Sequence, residues 1–201
     1  MRRLGILAIV LIFSFVFATA SLAETTPTDD LKKSIDAVIS LLADKKMDRK
    51  LRREKVIEKI HERFDFEAMG KFILGQNWRS LNEAQRGQFV DRFSQILQNT
   101  YMNRIEAYSD EKVKYNEEKR IDDKAKVATS VVHKNKEVPI DYKLQLKNGG
   151  WYIYDVTIEG VSLVRNYQES YNEIFRKNGI DGLLAKMSEK ITEMENGKAS
   201  K

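Results

Sequence analysis

Asp155-Val156-Thr157-Ile158-Glu159-Gly160-Val161-Ser162-Leu163 is the stretch on which the fold turns. Before it, from Trp151, an aromatic strand runs toward Ile158. After it, as far as Tyr167, the apolar residues take helical spacing. A sheet is thus welded to a helix across a single glycine, as a fold wrapped around an apolar interior would need. Gly160 breaks the strand, and Ser162 is placed to cap a helix whose Val164, Tyr167, Tyr171 and Phe175 face inward. Gly179 ends that helix, and Asp181 caps a last one carrying Leu183, Leu184, Met187, Ile191 and Met194.

Toward the N-terminus the alternation continues. Ile140, Tyr142, Leu144 and Leu146 interleave with Asp141, Lys143 and Gln145, and Lys147-Asn148-Gly149-Gly150 is a strong hairpin signal. Val127, Thr129 and Val131 form another such run, and a weaker strand covers Val113 to Tyr115. Three or four antiparallel strands with one wet and one buried face follow. Upstream the period is 3.6. Asp29 or Asp30 caps a helix bearing Leu31, Ile35, Val38, Ile39 and Leu42, after a loose leader from Thr25 to Thr28. A second helix starts near Asp48 with Leu51, Val56 and Ile60 inward. A third runs from the cap Asp65 through Phe66, Met69, Phe72 and Ile73 to the stop Gly75. Ser80-Leu81-Asn82-Glu83 has the spacing of a capping box and opens the longest helix, to about Tyr108, with Phe89, Phe93, Ile96, Leu97, Tyr101 and Ile105 on one face. Helices, a strand meander, then helices make an α+β class. With no repeat and no linker, residues 24–195 read as one domain followed by a polar, frayed tail at 196–201.

The first residues read differently. Met1-Arg2-Arg3, an apolar run from Leu4 to Phe17, and Ala18-Thr19-Ala20-Ser21-Leu22-Ala23 have the three parts of a secretory signal peptide, cut after Ala23. The apolar part has 14 residues, against the roughly 20 that span a bilayer. Among 201 residues there is no Cys, which excludes a lipoprotein signal and leaves stability to packing alone. The mature protein should be exported and untethered. Loss of Arg2 and Arg3 lowers the formal charge from +5 by two, and no block of like charge suggests a nucleic-acid arm.

Catalytic constellations are missing from the pattern. His61 and His133 fall on polar surface without a second ligand at metal spacing, thiol chemistry is impossible, and Gly149-Gly150 is explained by its turn. Asp155, an acid in an apolar strand, is the one candidate general base. If the Tyr154 face is interior, Asp155 points outward or to an ion pair with an arginine, a structural role. The inward tyrosines Tyr101, Tyr142, Tyr154 and Tyr167 suggest an interior that reaches a polar mouth, since a buried phenol needs a partner. Periodicity leaves both an ordinary core and a ligand cavity open.

Several blocks together resemble the MlaC, or toluene-tolerance, family: Phe64-Asp65-Phe66-Glu67-Ala68-Met69, Leu74-Gly75-Gln76-Asn77-Trp78-Arg79, Gln85-Arg86 with Phe89 and Phe93, Thr100-Tyr101, Asp155 to Leu163 with Asn166-Tyr167, and Asn178 to Leu184. They span nearly the whole mature chain in the family's order. The resemblance implies a strongly curved antiparallel sheet of about four strands packed against several helices, enclosing an apolar cavity. It also implies a monomeric periplasmic phospholipid carrier between an outer-membrane lipoprotein complex and an inner-membrane ABC transporter with an MCE-domain protein. That role maintains outer-membrane lipid asymmetry and needs no cofactor. The chain departs from the pattern at Gln168, where an arginine is expected.

Burying a methylene is worth about 0.8 kcal/mol, so exposing two acyl chains to water costs on the order of 20 kcal/mol. A carrier must therefore enclose the tails and leave the charged head in water. The tails are expected against Phe72, Phe93, Leu97, Tyr101, Tyr142, Leu144, Tyr154 and Val156. Trp78, Ile96, Ile140, Trp151, Val164 and Tyr167 complete the expected lining. Carriage of a polyprenyl or hopanoid lipid, an enzyme using Asp155, and a solid interaction module are the rival readings. Leu144→Trp should block lipid uptake and leave the fold intact, as co-purified lipid and thermal unfolding would report.

Overall fold

A computed structural model describes residues 25–107, 112–133 and 136–199; the expected signal peptide and Tyr108 lie outside them. Four helices come first: α1 (Pro27–Ala43), α2 (Arg49–Arg63), α3 (Phe66–Leu74) and, after a 3-10 segment at Gly75–Ser80, α4 (Glu83–Ala107). Five strands follow: β1 (Lys112–Ile121), β2 (Lys124–His133), β3 (Lys136–Lys147), β4 (Gly150–Ile158) and β5 (Val161–Ser162). Helix α5 (Leu163–Ala199) ends the chain, broken at Gly179 by a φ of 66°. The strands form one antiparallel meander in chain order, a curved sheet in an α+β fold.

Local chemistry accounts for most element ends. Asp48 and Asp65 cap α2 and α3 as expected, accepting from Leu51 N and Ala68 N. At α1 the cap is instead Thr26, whose hydroxyl accepts from Asp29 N at 3.1 Å, with Pro27 just inside the helix. The expected leader is consequently ordered, and Thr25 O accepts from Trp151 Nε1 at 3.1 Å. The capping box lies two residues later than expected. Asn82 and Gln85 exchange side-chain bonds to each other's amides at 2.9 and 3.1 Å, because Leu81 is extended and buried. Asn148 and Gly149, at φ 54° and 78°, make the two-residue turn that the right-handed strand twist favours. Glu159 and Gly160 make a second, so a two-residue strand intervenes where a direct passage into the helix is expected. Residues 196–199, expected to fray, continue α5.

Two irregularities set the inner face of the sheet. In β4, Lys143 pairs with Asp155 but Leu144 pairs with Ile153, so Tyr154 is an extra residue. Strict alternation placed Trp151 and Val156 on opposite faces. The bulge instead turns Trp151, Ile153 and Val156 all to the core, at 0, 2 and 5 % exposure. A second register shift between Tyr115 and Glu117 lets β1 run ten residues rather than three. Its polar half wraps the start of α1, where Glu118 accepts from Thr28 N and its hydroxyl, and the Arg120 guanidinium lies 4.9 Å from the Trp151 ring. Two residues expected inward are exposed: Leu51 by 45 % and Phe72 by 44 %.

Helices and sheet are joined by two buried carboxylates. Asp30 Oδ2 accepts from Trp151 N at 2.9 Å and Arg63 Nη1 at 3.3 Å, while Arg63 also donates to Trp151 O and Ser34 Oγ. Asp65 accepts from Ala68 N, Gln145 Nε2 and Lys147 Nζ, and its own N–H donates to Ile153 O. Burial alone would raise the Asp65 pKa, but those three donors outweigh it and hold it below the usual value. A depressed carboxylate stabilises the fold above its unfolded pKa of about 4, and the contribution is lost as pH falls through the lower folded value. Asp65→Asn should therefore be less stable than wild type at pH 7 by about 1–2 kcal/mol in urea unfolding, with the difference shrinking below about pH 4.

Candidate functional site

Burial along the inner face of the sheet changes from one end to the other. Near the β1–β2 and β3–β4 turns, Ala125, Leu144, Trp151 and Ile153 are at most 6 % exposed, with Leu31 of α1 fully buried in the same core. That end is solid. Toward the opposite end, strand pairing aligns Tyr115, Thr129, Ile140 and Ile158 in one row and Val113, Val131 and Val138 in the next. Of these only Thr129 is buried. The other residues of both rows are half-buried, and the three valines stand outside the packed core.

The same core takes in α4 and the first half of α5, while α1 sets Lys32 over the Tyr115 ring at the β1 end of the first row. Phe93, Ile96 and Leu97 of α4 are buried, as is Val164 of α5, while Tyr101 and Tyr167 are half-buried. The rings interlock: Phe93 meets Tyr167 edge-on at 5.2 Å, Phe89 stacks on Phe93 at 6.0 Å, and Tyr167 lies 5.3 Å from Tyr171. Helix α4 packs chiefly on α3 and α5. A smaller cluster of Leu42, Val56 and Met102 closes the side between α1, α2 and α4.

The phenols here are neutral donors. Burial pushes Tyr142 up to about 12, and Tyr101, Tyr115, Tyr167 and Tyr171 are raised for the same reason. No described trio of His, Asp or Glu converges on a possible metal site, and no described helix is long and apolar enough to cross a membrane. Two clefts open on α2 and α4, of about 780 and 420 Å³, lined by residues such as Arg53, Asn99 and Asn103 or His61, Asp91 and Gln98. Neither includes a strand residue.

The structure thus brings Phe93, Ile96, Leu97, Tyr101, Ile140, Tyr142, Val156, Val164 and Tyr167 into one region between sheet and helices. Leu144 and Trp151 belong to the solid end, so Trp at position 144 would overpack the core rather than leave the fold intact. Trp78 packs between α3 and α4, edge-on to Phe89 at 6.2 Å and under the Arg86 guanidinium. Phe72 and Tyr154 stack on each other at 5.1 Å, with Phe72 facing outward. Gln168, in place of the expected arginine, donates to Phe72 O at 3.0 Å, and Asn172 donates to Ile73 O at 2.9 Å. Side chains of α5 thereby satisfy carbonyls at the end of α3.

Asp155 is 3 % exposed rather than outward in water, and its ion pair is with a lysine rather than an arginine. It accepts from Ser162 Oγ, Val164 N and Lys143 Nζ, and Ser162 in turn caps α5 through Arg165 N. Its oxygens are committed to holding the strand–helix junction. Sequence reasoning missed Tyr115 and the three valines. Their signal, alternation in Val113-Lys114-Tyr115 and in Val127, Thr129 and Val131, identified strands but was short and flanked by charge.

Comparison with known proteins agrees with this architecture. The fold is shared with a phospholipid-binding protein from Ralstonia solanacearum solved in complex with a phospholipid, at a TM-score of 0.75 and 22 % identity over 85 % of this chain and 99 % of that one. The intermembrane phospholipid transport system binding protein MlaC of Haemophilus influenzae is 26 % identical over 190 residues, 90 % of this chain and 89 % of that protein. A family model described as MlaC protein matches residues 32–189, and the chain belongs to that family.

Proposed function

We propose that this protein is a soluble periplasmic carrier that binds a phospholipid by its acyl chains and ferries it between membrane complexes. The observation that carries the reading is the burial gradient. Two rows of valine, isoleucine and tyrosine stay half-open on the inner face, opposite an aromatic wall from α4 and α5. In an ordinary core such residues would be buried at both ends of the sheet. Here the closed end fixes the fold, and the open end offers apolar surface for hydrocarbon.

The acyl chains lie between Ile140, Tyr142 and Val156 on the sheet and Phe93, Leu97, Tyr101 and Tyr167 on the helices. Transfer energetics demand this enclosure, because two chains exposed to water would raise the barrier by on the order of 20 kcal/mol. The head group stays outside, past the valine rim, since burying an unpaired phosphate is prohibitive. The first residues direct export and are then removed. Lipid is exchanged with an outer-membrane lipoprotein complex and with an inner-membrane ABC transporter bearing an MCE-domain protein, which together maintain lipid asymmetry in the outer membrane. The carrier needs no cofactor, and the transporter supplies direction.

Mass spectrometry of an organic extract of the purified protein should recover phospholipid in near-stoichiometric amount; an extract without it overturns the reading. Val131→Trp, at a half-open position, should lower the co-purified load several-fold and shift the thermal unfolding midpoint by no more than a few degrees. Retention of a full load would exclude the opening from that end of the sheet.

A further inference from the structure

Tyr115 carries a polar atom unlike any other among the described residues: its buried hydroxyl has no hydrogen-bond partner. None of the polar groups around it accepts from it. Thr129, across the β1–β2 pair, has committed its hydroxyl to Ile140 O at 2.8 Å. The Lys32 ammonium lies 5.8 Å from the ring centroid and is paired with Asp36. Burial, with the Asp36 carboxylate and the Tyr142 phenol nearby, holds the Tyr115 pKa well above its ordinary value, so the hydroxyl keeps its proton at neutral pH. A buried donor without an acceptor is a net cost to folding, and phenylalanine would fill the same space without it.

The position of Tyr115 narrows the missing acceptor. It stands one row inside the valine rim of Val113, Val131 and Val138, and one row outside Val127 and Tyr142. Hydrocarbon has no acceptor to offer. An ionised phosphate or carboxylate would have to leave water to reach a buried hydroxyl one row inside the rim, and burying such a charge unpaired is prohibitive. A neutral ester carbonyl fits, and in a diacyl glycerolipid it lies between head group and chains, which is the depth of this row. We infer that the Tyr115 hydroxyl donates to an ester carbonyl of the carried lipid and so selects ester-linked over ether-linked chains. This rests on the carrier reading above.

Wild-type protein and Tyr115→Phe, both stripped of lipid, are loaded from vesicles of a diacyl phosphatidylglycerol or of its dialkyl ether analogue, and the bound lipid is quantified. Wild type should hold the ester lipid roughly three- to tenfold more tightly, as one hydrogen bond allows, and the variant should hold both at the ether level. Lipid-free Tyr115→Phe should melt no lower than wild type. Equal binding of both lipids by wild type overturns the inference while carriage stands, and this arm needs no variant to fold. A preference that survives in Tyr115→Phe, or a lower melting temperature of the lipid-free variant, also overturns it. If wild type takes up neither lipid, the carrier reading itself fails and the inference goes with it.

Discussion

The carboxylate of Asp30 ties together three parts of the chain that are far apart in sequence. Through Trp151 N and Arg63 it links α1, α2 and the first residues of β4, and Arg63 doubles the link through Trp151 O and Ser34. Both charges are largely withdrawn from water, so each needs the other, and removing either leaves an uncompensated charge in the interior. The Arg120 guanidinium covers the Trp151 ring from the β1 side. This clamp fixes one end of the sheet against α1 and makes that end a closed core. Without it the half-open end would have no rigid support, and a protein lacking cysteine has no crosslink to replace it.

With one end closed, the other can afford incomplete packing. The stability of the domain rests on Leu31, Leu144, Trp151, Phe89 and their neighbours, all at or near zero exposure. In the carrier proposed above, residues toward the opposite end contribute less to folding and would exchange contact with each other for contact with the lipid. Aromatic rings suit this role. Phe93, Tyr167 and Tyr171 meet one another edge-on or tilted at 5.2 to 6.5 Å, geometries that ring quadrupoles favour over face-to-face contact.

Much of this arrangement is legible in the chain itself. The Asn148-Gly149 turn, the caps Asp48, Asp65 and Ser162, and the breaks at Gly75 and Gly179 follow from residue types whose backbone preferences hold in any context. What escaped was non-local. Nothing in Ile153-Tyr154-Asp155-Val156 announces that Tyr154 is the extra residue, because a bulge is set by the partner strand's register. The charged run from Asn116 to Arg120 looks unlike a strand until Glu118 is seen holding α1 and Arg120 covering the Trp151 ring of β4. Leu144 and Ile140 share one alternating face, yet only the first is buried, since which end is closed depends on where α1 docks. Alternation identifies a face and says nothing of its depth.

The shift in β1 between Tyr115 and Glu117 has a bearing on life in a crowded compartment. As the outermost strand, β1 presents a row of amides and carbonyls with no ladder neighbour on that side among the described residues. A flat edge of this kind invites strand addition from other molecules and growth into aggregates. The kink interrupts the repeat halfway along, and Lys112, Lys114, Glu117 and Lys119 stud the remainder with exposed charge. The chain is thereby kept from polymerising through its own sheet.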